Sequence, residues 1–151
     1  SRVVPRPHSV GWRATMRGSP IGKDPMPKTI LHAPSGPEPL GPYSNATEAP
    51  GLVFCSGSVP NDPATGSAVT GDIADQTHQV MRNIGAVLDD VGLGYDDIVK
   101  TTIFLTDMSD FAAVNAVYGE YVGTSKPARS TVEASALPGG FSIEIECIAA
   151  R

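Results

Sequence analysis

Apolar positions in the middle of the chain follow a helical period. Between positions 73 and 91 they recur three or four residues apart, which predicts an amphipathic helix. Asp72 stands where an N-cap residue is expected, and Gly92 suits the C-terminal end. The predicted buried face consists of Ile73, Val80, Met81, Ile84, Val87, Leu88 and Val91.

A second, shorter helix is predicted after Ser109, which we interpret as its N-cap. Its predicted inner face consists of Phe111, Val114, Tyr118, Tyr121 and Val122. We interpret the apolar stripes of both helices as core, because amphipathic helices bury such stripes against the rest of a domain.

Runs of β-branched and apolar residues at positions 52–56, 98–106, 129–134 and 142–149 predict strands. Side chains alternate along a strand, so Glu144 and Glu146 should share one face of the last strand. The other face is then formed by Ile143, Ile145 and Cys147. The order of strands, helix, strand, helix and strands predicts a single α+β domain, with two helices packed on one face of a mixed sheet.

Residues 1–25 differ from the rest of the chain in composition. They contain five basic residues and a single acid, and no apolar period is sustained. We interpret them as a leader outside the fold, either from an expression vector or a targeting segment. The domain is assigned to residues 26–151. We expect a cytoplasmic protein, or an organellar one where the leader is a genuine transit segment.

The charge of the chain argues against a nucleic-acid surface. The net charge is −5, and positions 26–151 carry six basic and fifteen acidic residues. Phosphate backbones are bound by clustered Lys and Arg, which this stretch lacks. No apolar run is long enough to span a membrane. A small anionic substrate remains compatible, because one well-placed Arg can bind it.

Cysteines and histidines give no sign of a metal site. Cys55 and Cys147 lie in apolar strand-like runs, and we predict buried, reduced thiols. Neither a CxxC pair nor an HExxH spacing is present. We therefore predict no metal ligands.

Arg129 and Glu144 are the candidate functional pair. They lie in the last two predicted strands, which a Leu-Pro-Gly-Gly turn at 137–140 separates. A hairpin at this turn would place the guanidinium and the carboxylate on neighbouring strands. A guanidinium is a planar fork of donors that can bind a carboxylate at two points. The alternative is an ordinary surface or structural ion pair.

Six short runs occur in one order along the chain. They are GPYSNA at 41–46, CSG at 55–57, DIVKTT at 97–102, FAAVNAVY at 111–118, PARS at 127–130 and IEIE at 143–146. Together they resemble the reactive intermediate deaminase (Rid) family, also known as the YjgF/YER057c/UK114 family. The resemblance extends over residues 26–151.

This resemblance implies a chorismate-mutase-like fold and a homotrimer whose active sites lie between subunits. It implies hydrolysis of 2-aminoacrylate and related enamines or imines to 2-keto acids and ammonia, without a cofactor. By the same resemblance, Arg129 binds the substrate carboxylate and Glu144 positions or activates the attacking water. Tyr43 and Ser56 would line the pocket, and Gly57 would allow close approach of the backbone to the ligand.

Thr131 is a departure from the family, which often has Cys at this position. Its hydroxyl can still donate a hydrogen bond to substrate, but any thiol role is absent. Two other functions stay open. The pocket could bind 2-keto acids or other small carboxylates without turnover, or the protein could be a ribonuclease or translation inhibitor, which its acidic domain disfavours.

Overall fold

The computed structural model describes residues 27–151, so the predicted leader at 1–25 lies outside the described residues. Strands come first: β1 Thr29–Leu31, β2 Ala46–Ala49, β3 Leu52–Ser58, and the small hairpin of β4 Asn61–Asp62 and β5 Ser67–Ala68. Then follow α1 Ile73–Asp90, β6 Ile98–Leu105, α2 Phe111–Val122, β7 Ala128–Glu133 and β8 Ile143–Ala150. The predicted order of strands and helices is confirmed.

The main sheet has six strands in the order β1-β2-β3-β8-β6-β7. Neighbouring strands in this sheet pair antiparallel, except β6 and β7, which run parallel. A parallel pair requires a crossover, and α2 supplies it between β6 and β7. The predicted mixed sheet in an α+β domain is therefore correct.

The predicted hairpin between the strands of Arg129 and Glu144 is wrong. β6 lies between β7 and β8 and pairs with both. The link between β7 and β8 spans positions 134–142, which is long enough to pass over one strand, so the two need not be neighbours. β8 is a central strand, and its inward side chains Ile143, Ile145, Cys147 and Ala149 are at most 2% exposed.

Helix α1 begins and ends as its sequence predicts. The Asp72 carboxylate accepts a hydrogen bond from the backbone N–H of Asp75 at 2.9 Å, which satisfies one free donor of the first turn. Gly92 follows the helix with φ of +77°, a conformation that glycine adopts without strain. The buried face is correct, with Val80, Met81 and Leu88 fully enclosed.

Helix α2 differs from its prediction in two details. Ser109 is not the N-cap, because a 3₁₀ turn at Met108–Asp110 leads into α2 and the side chain of Asp107 caps that turn. Phe111 is 37% exposed, whereas Val117 is buried. Val114, Tyr118 and Val122 face the core as predicted.

Both helices cover the same face of the sheet, and the other face is open. In β8, Glu144 and Glu146 point to the open face, as the alternation predicted. Cys55 and Cys147 are cross-strand partners beneath the helices, and both thiols are free and buried, as predicted. A hydrogen bond with Cys55 and burial raise the pKa of Cys147, so it stays a neutral thiol.

Candidate functional site

Four of the predicted site residues meet in one cavity of about 620 Å³. Tyr43 enters from the segment before β2, Ser56 and Gly57 from β3, and Glu144 from β8. Because β3 and β8 are paired neighbours, residues that are almost ninety positions apart in sequence become adjacent. The cavity lies on the open side of the sheet, where the loops 37–43 and 138–141 rise around it.

The wall that carries Tyr43 is held by hydrogen bonds. The Ser56 hydroxyl donates a hydrogen bond to the carbonyl oxygen of Ser44 at 2.6 Å. While this bond is made, the hydroxyl cannot donate its proton to a ligand. The side-chain amide of Asn45 donates to the carbonyls of Ala33 and Pro37. Tyr43 itself is 53% exposed and lines the cavity. Ser56 therefore positions this wall, whatever it contributes to a ligand.

Glu144 occupies the space that a side chain at Gly57 would fill. The register of β3 against β8 shifts between Cys55 and Ser58, which places Gly57 directly over the carboxylate. Burial and then the charge of Glu146 raise the pKa of Glu144 above its ordinary range. A carboxylate with a raised pKa is a better proton acceptor than an ordinary one, as general base catalysis requires.

We expect Gly57→Ala to fold and to lose most of its turnover. The new Cβ would lie 2.8 Å from Cδ of Glu144, too close for real atoms, so the carboxylate must move. Displacement of a catalytic group by about 1 Å can cost roughly 10²-fold in rate. The measurement is kcat together with the melting temperature.

The matched control is Gly94→Ala, because a Cβ at Gly94 would meet open space. Gly66→Ala is unsuitable because the positive φ of Gly66 would strain an alanine. Unchanged kcat in folded Gly57→Ala would show that Glu144 has no positional role.

Arg129 lies in a different place. It is exposed on the edge strand β7 and lines a second cavity of about 480 Å³ with residues of α2. Its guanidinium carbon lies 5.5 Å from the ring centroid of Phe111 and 5.1 Å from that of Tyr118. One guanidinium nitrogen donates to the side-chain oxygen of Asn115 at 2.6 Å. Stacking on the rings and this hydrogen bond fix the fork in one orientation.

Within one chain, Arg129 and Glu144 point to opposite faces of the sheet. Arg129 contacts α2, whereas Glu144 points to the face without helices. Thr101 of β6 pairs with Arg129 of β7 on one side and with Cys147 of β8 on the other. Arg129 therefore lies two strands away from β8, level with a residue that is three positions beyond Glu144. Standard strand geometry then separates their Cα atoms by roughly 14 Å. The sequence hypothesis of two side chains side by side in one chain is therefore wrong.

Thr131 lines neither of these two cavities. Its hydroxyl oxygen is buried and has no hydrogen-bond partner among residues 27–151. A buried polar atom without a partner is unfavourable, so this hydroxyl is available to donate a hydrogen bond to a group from outside the described residues. The structure does not bring it together with Tyr43 and Glu144.

Sequence reasoning missed the support around Arg129. Phe111, Asn115 and Tyr118 contact its guanidinium from one face of α2. Their spacing of four and three residues was visible in the sequence, because residues so spaced share a helix face. The helical period assigns Phe111 to the core, and this assignment leaves Asn115, one turn later, without a link to Arg129.

Two kinds of feature are absent from the described part of the chain. Across residues 27–151 no three His, Cys, Asp or Glu side chains are grouped so that they could hold an ion. No helix in that same stretch has the length and apolar character needed to cross a membrane.

The sequence and the fold are both similar to known proteins. The model of the Endoribonuclease L-PSP family matches residues 33–151. A RutC family protein of Pyrococcus horikoshii is 50% identical over 122 residues, which cover 81% of this chain and 97% of that protein. A 2-iminobutanoate/2-iminopropanoate deaminase of Mus musculus is 36% identical over 124 residues, covering 82% of this chain and 92% of the mouse protein.

A solved structure extends the likeness to three dimensions. A Rid family protein of Yersinia pestis, YyfA, superposes with a TM-score of 0.79 at 47% identity. The match covers 82% of this chain and 99% of the Yersinia chain. The chain therefore belongs to the Endoribonuclease L-PSP family, the YjgF or Rid family that its six sequence runs resemble.

Proposed function

We propose that this protein hydrolyses 2-imino acids and their enamine tautomers, such as 2-aminoacrylate, to 2-keto acids and ammonia. The observation that carries the proposal is Glu144, a half-buried carboxylate with a raised pKa in a cavity that also contains Tyr43 and Gly57. A relative named 2-iminobutanoate/2-iminopropanoate deaminase supports the same chemistry.

The reaction needs water and proton transfer. An enamine first takes a proton from solvent on carbon and becomes a protonated imine. Glu144 then accepts a proton from a water molecule while the water oxygen bonds to the imine carbon, which gives a carbinolamine. Glu144 passes this proton to the nitrogen. As the carbon–nitrogen bond then breaks and ammonia leaves, the hydroxyl gives its own proton to Glu144 and becomes the carbonyl, and Glu144 returns that proton to solvent. No electrons are transferred, and we keep the prediction that no cofactor takes part.

Arg129 would hold the substrate carboxylate, but the site must then be built from two chains. A small imino acid cannot reach both Arg129 and Glu144 of one chain. Their side chains point to opposite faces of the sheet, and their Cα atoms lie roughly 14 Å apart. The open face of the sheet supports an association of chains. Its apolar side chains Phe54 and Val132 are 40% and 44% exposed, and exposed apolar surface of this kind favours a protein partner.

We expect a homotrimer in which Arg129 of one chain faces Tyr43 and Glu144 of the next. The number three comes from the family resemblance, and the open sheet face is the surface that would be buried. Light scattering at working concentration should give three times the mass of one chain. A fully active monomer would contradict the two-chain site.

Ammonia release from a freshly generated imine tests the function. An amino-acid oxidase can supply 2-iminopropanoate from alanine, and the protein should accelerate its conversion to pyruvate and ammonia over the rate in buffer. Binding of pyruvate without any acceleration would favour the alternative of a small-carboxylate binding protein. The family description mentions an endoribonuclease, yet Glu38 and Glu144 in the cavity repel phosphates. RNA cleavage that Glu144→Gln abolishes would overturn the proposal.

The cellular location stays a prediction. We expect the cytoplasm, or an organelle where residues 1–25 serve as a transit segment.

A further inference from the structure

We propose that Thr101 and Tyr118 are positioning residues, which hold the Arg129 guanidinium in the orientation that binds the substrate carboxylate. Their hydroxyl groups form a hydrogen bond of 2.7 Å inside the core, and the guanidinium lies over the ring of Tyr118. Both residues act through Arg129. This inference rests on the proposed function and adds two residues to the machinery of that site.

Arg129 needs support because it is an exposed arginine on an edge strand. A long side chain in solvent occupies many rotamers, and holding it in one of them costs conformational entropy when a ligand binds. A support that fixes the guanidinium beforehand removes this cost from binding. The ring of Tyr118, whose centroid is 5.1 Å from the guanidinium carbon, gives such support as long as the ring itself is held.

The hydroxyl pair holds the ring at its far end. Tyr118 belongs to α2, whereas Thr101 belongs to β6 and is only 1% exposed. The hydrogen bond between them therefore ties the helix to the sheet through the tyrosine ring. Apolar packing has no preferred direction, but a hydrogen bond does, so this bond fixes the tilt of the ring as well as its place.

The pair also lies level with Arg129 in the sheet. Thr101 is the Cα partner of Arg129 in the parallel pairing of β6 and β7. Both side chains reach Tyr118 on α2, one through its hydroxyl and the other through its ring face. The tyrosine is therefore anchored beside the stretch of backbone from which the guanidinium extends, so the three groups keep one arrangement.

Packing alone does not explain a hydroxyl at position 101. The other buried residues of β6 are Ile98, Ile103 and Leu105, all of them apolar. A buried hydroxyl is unfavourable unless it is hydrogen-bonded, and a valine would fill nearly the same space without that cost. What the hydroxyl of Thr101 adds is its bond to Tyr118, the residue whose ring lies against the guanidinium of Arg129.

The test removes one tyrosine hydroxyl at a time. Tyr118→Phe deletes the group that binds Thr101. Tyr95→Phe is the matched control, because the Tyr95 hydroxyl donates a hydrogen bond of the same 2.7 Å length to the carbonyl oxygen of Met81 in α1. In Tyr118→Phe, kcat/KM for the alanine-derived imine and the affinity for pyruvate should each fall about 10-fold, a part of the roughly 10²-fold that a displacement of 1 Å can cost. Tyr95→Phe should lower the melting temperature similarly and change neither quantity by more than about twofold.

Variants of the threonine test the other end of the hydrogen bond. Thr101→Val removes the hydroxyl and should reproduce the losses of Tyr118→Phe. Thr101→Ser keeps the hydroxyl and should retain most of the turnover and of the pyruvate affinity. This rescue by the conservative variant would not occur if only the bulk of the threonine side chain mattered.

The Arg129→Lys background separates positioning from a merely structural role. Lysine has no planar fork for the ring to hold, so adding Tyr118→Phe should change the residual kcat/KM of Arg129→Lys less than about twofold. If Tyr118 contributed only to stability, the same loss of about 10-fold would appear in both backgrounds, because independent effects add.

The outcomes distinguish this inference from the proposed function. Equally small effects of Tyr118→Phe and Tyr95→Phe, or a loss that persists in the Arg129→Lys background, would overturn the positioning role and leave the deaminase function intact. A wild-type protein that hydrolyses no imine, while Tyr118→Phe still weakens its binding of pyruvate about 10-fold, would overturn the deaminase function alone. A wild-type protein that neither hydrolyses imines nor binds pyruvate would overturn both.

Discussion

Arg129→Lys should lose nearly all turnover while the fold survives. Lysine keeps the positive charge but not the planar fork, so the two-point contact with the substrate carboxylate is lost. It also lacks the flat surface that stacks on Phe111 and Tyr118. Loss of a charge-assisted, bidentate pair costs about 2–4 kcal/mol. kcat/KM and the melting temperature should be measured together.

Lys126 provides the matched control for this substitution. It is a second cation of the same cavity, but it has no planar fork. Lys126→Ala should leave kcat/KM within about threefold of the wild type, because a nearby exposed charge contributes little. Wild-type turnover in a correctly folded Arg129→Lys protein would falsify the clamp. Equal large losses in both variants would mean that only the local positive charge matters.

Glu144→Gln should lower turnover by roughly 10²–10⁴-fold, the usual contribution of a general base. Glutamine keeps the size and can still hydrogen-bond a water molecule, but it cannot accept a proton from it. Binding of a 2-keto acid should persist, because the carboxylate contact belongs to Arg129. The amide also removes a negative charge beside the bound anion, so Glu144→Gln should bind the 2-keto acid slightly more tightly than the wild type does.

The pH dependence follows from the direction of the Glu144 shift. The base form is lost as pH falls through a pKa that lies above the ordinary range of a glutamate. The acid limb of kcat/KM should therefore lie at higher pH than for an unperturbed glutamate, and Glu144→Gln should abolish it. Glu146→Gln removes the second cause of the shift, so its acid limb should move to lower pH while turnover at neutral pH stays near normal.

Stability should change in the opposite direction to activity. A raised pKa means that the folded state disfavours the ionised form of Glu144, so this residue favours folding at low pH and loses that effect as pH rises through the folded pKa. Glu144→Gln should therefore raise the melting temperature at pH values above that pKa only.

The comparison of turnover decides the role of Glu144. If Glu144→Gln and Glu146→Gln have equally small effects on turnover, Glu144 is an ordinary strand residue.

The sequence predicted those elements whose local signals agree with their packing. Helix α1 has a regular apolar stripe, an N-cap at Asp72 and a terminating glycine at Gly92, and all three describe interactions within one turn. The alternation in β8 placed Glu144 correctly because every second residue of that strand is buried. Such local patterns depend on nothing that is distant along the chain.

Strand order was harder because it depends on distant pairings. Adjacency in sequence suggested that the strands of Arg129 and Glu144 were neighbours, whereas β6 separates them. After the crossover through α2, β7 pairs with the outer edge of β6. β8 then lies between β3 and β6 and pairs with both. Nothing in the residues of β7 and β8 alone reveals that a third strand lies between them.

The candidate site was predicted in part. The runs around Tyr43, Ser56, Gly57 and Glu144 supplied one half, because each run has a distinct composition and the resemblance linked them. Asn115 was missed because an asparagine on a helix has many uses, and only its hydrogen bond to Arg129 singles it out.

The opposite orientation of Arg129 and Glu144 has a genetic consequence. In the proposed two-chain site, the two residues of any one chain serve different sites. A chain with a damaged Arg129 and a chain with a damaged Glu144 are each inactive in pure assemblies. In a mixed assembly the intact Arg129 of one chain meets the intact Glu144 of the other, so two defective alleles can complement each other. The unit of inheritance is the chain, whereas the unit of chemistry is the boundary between two chains.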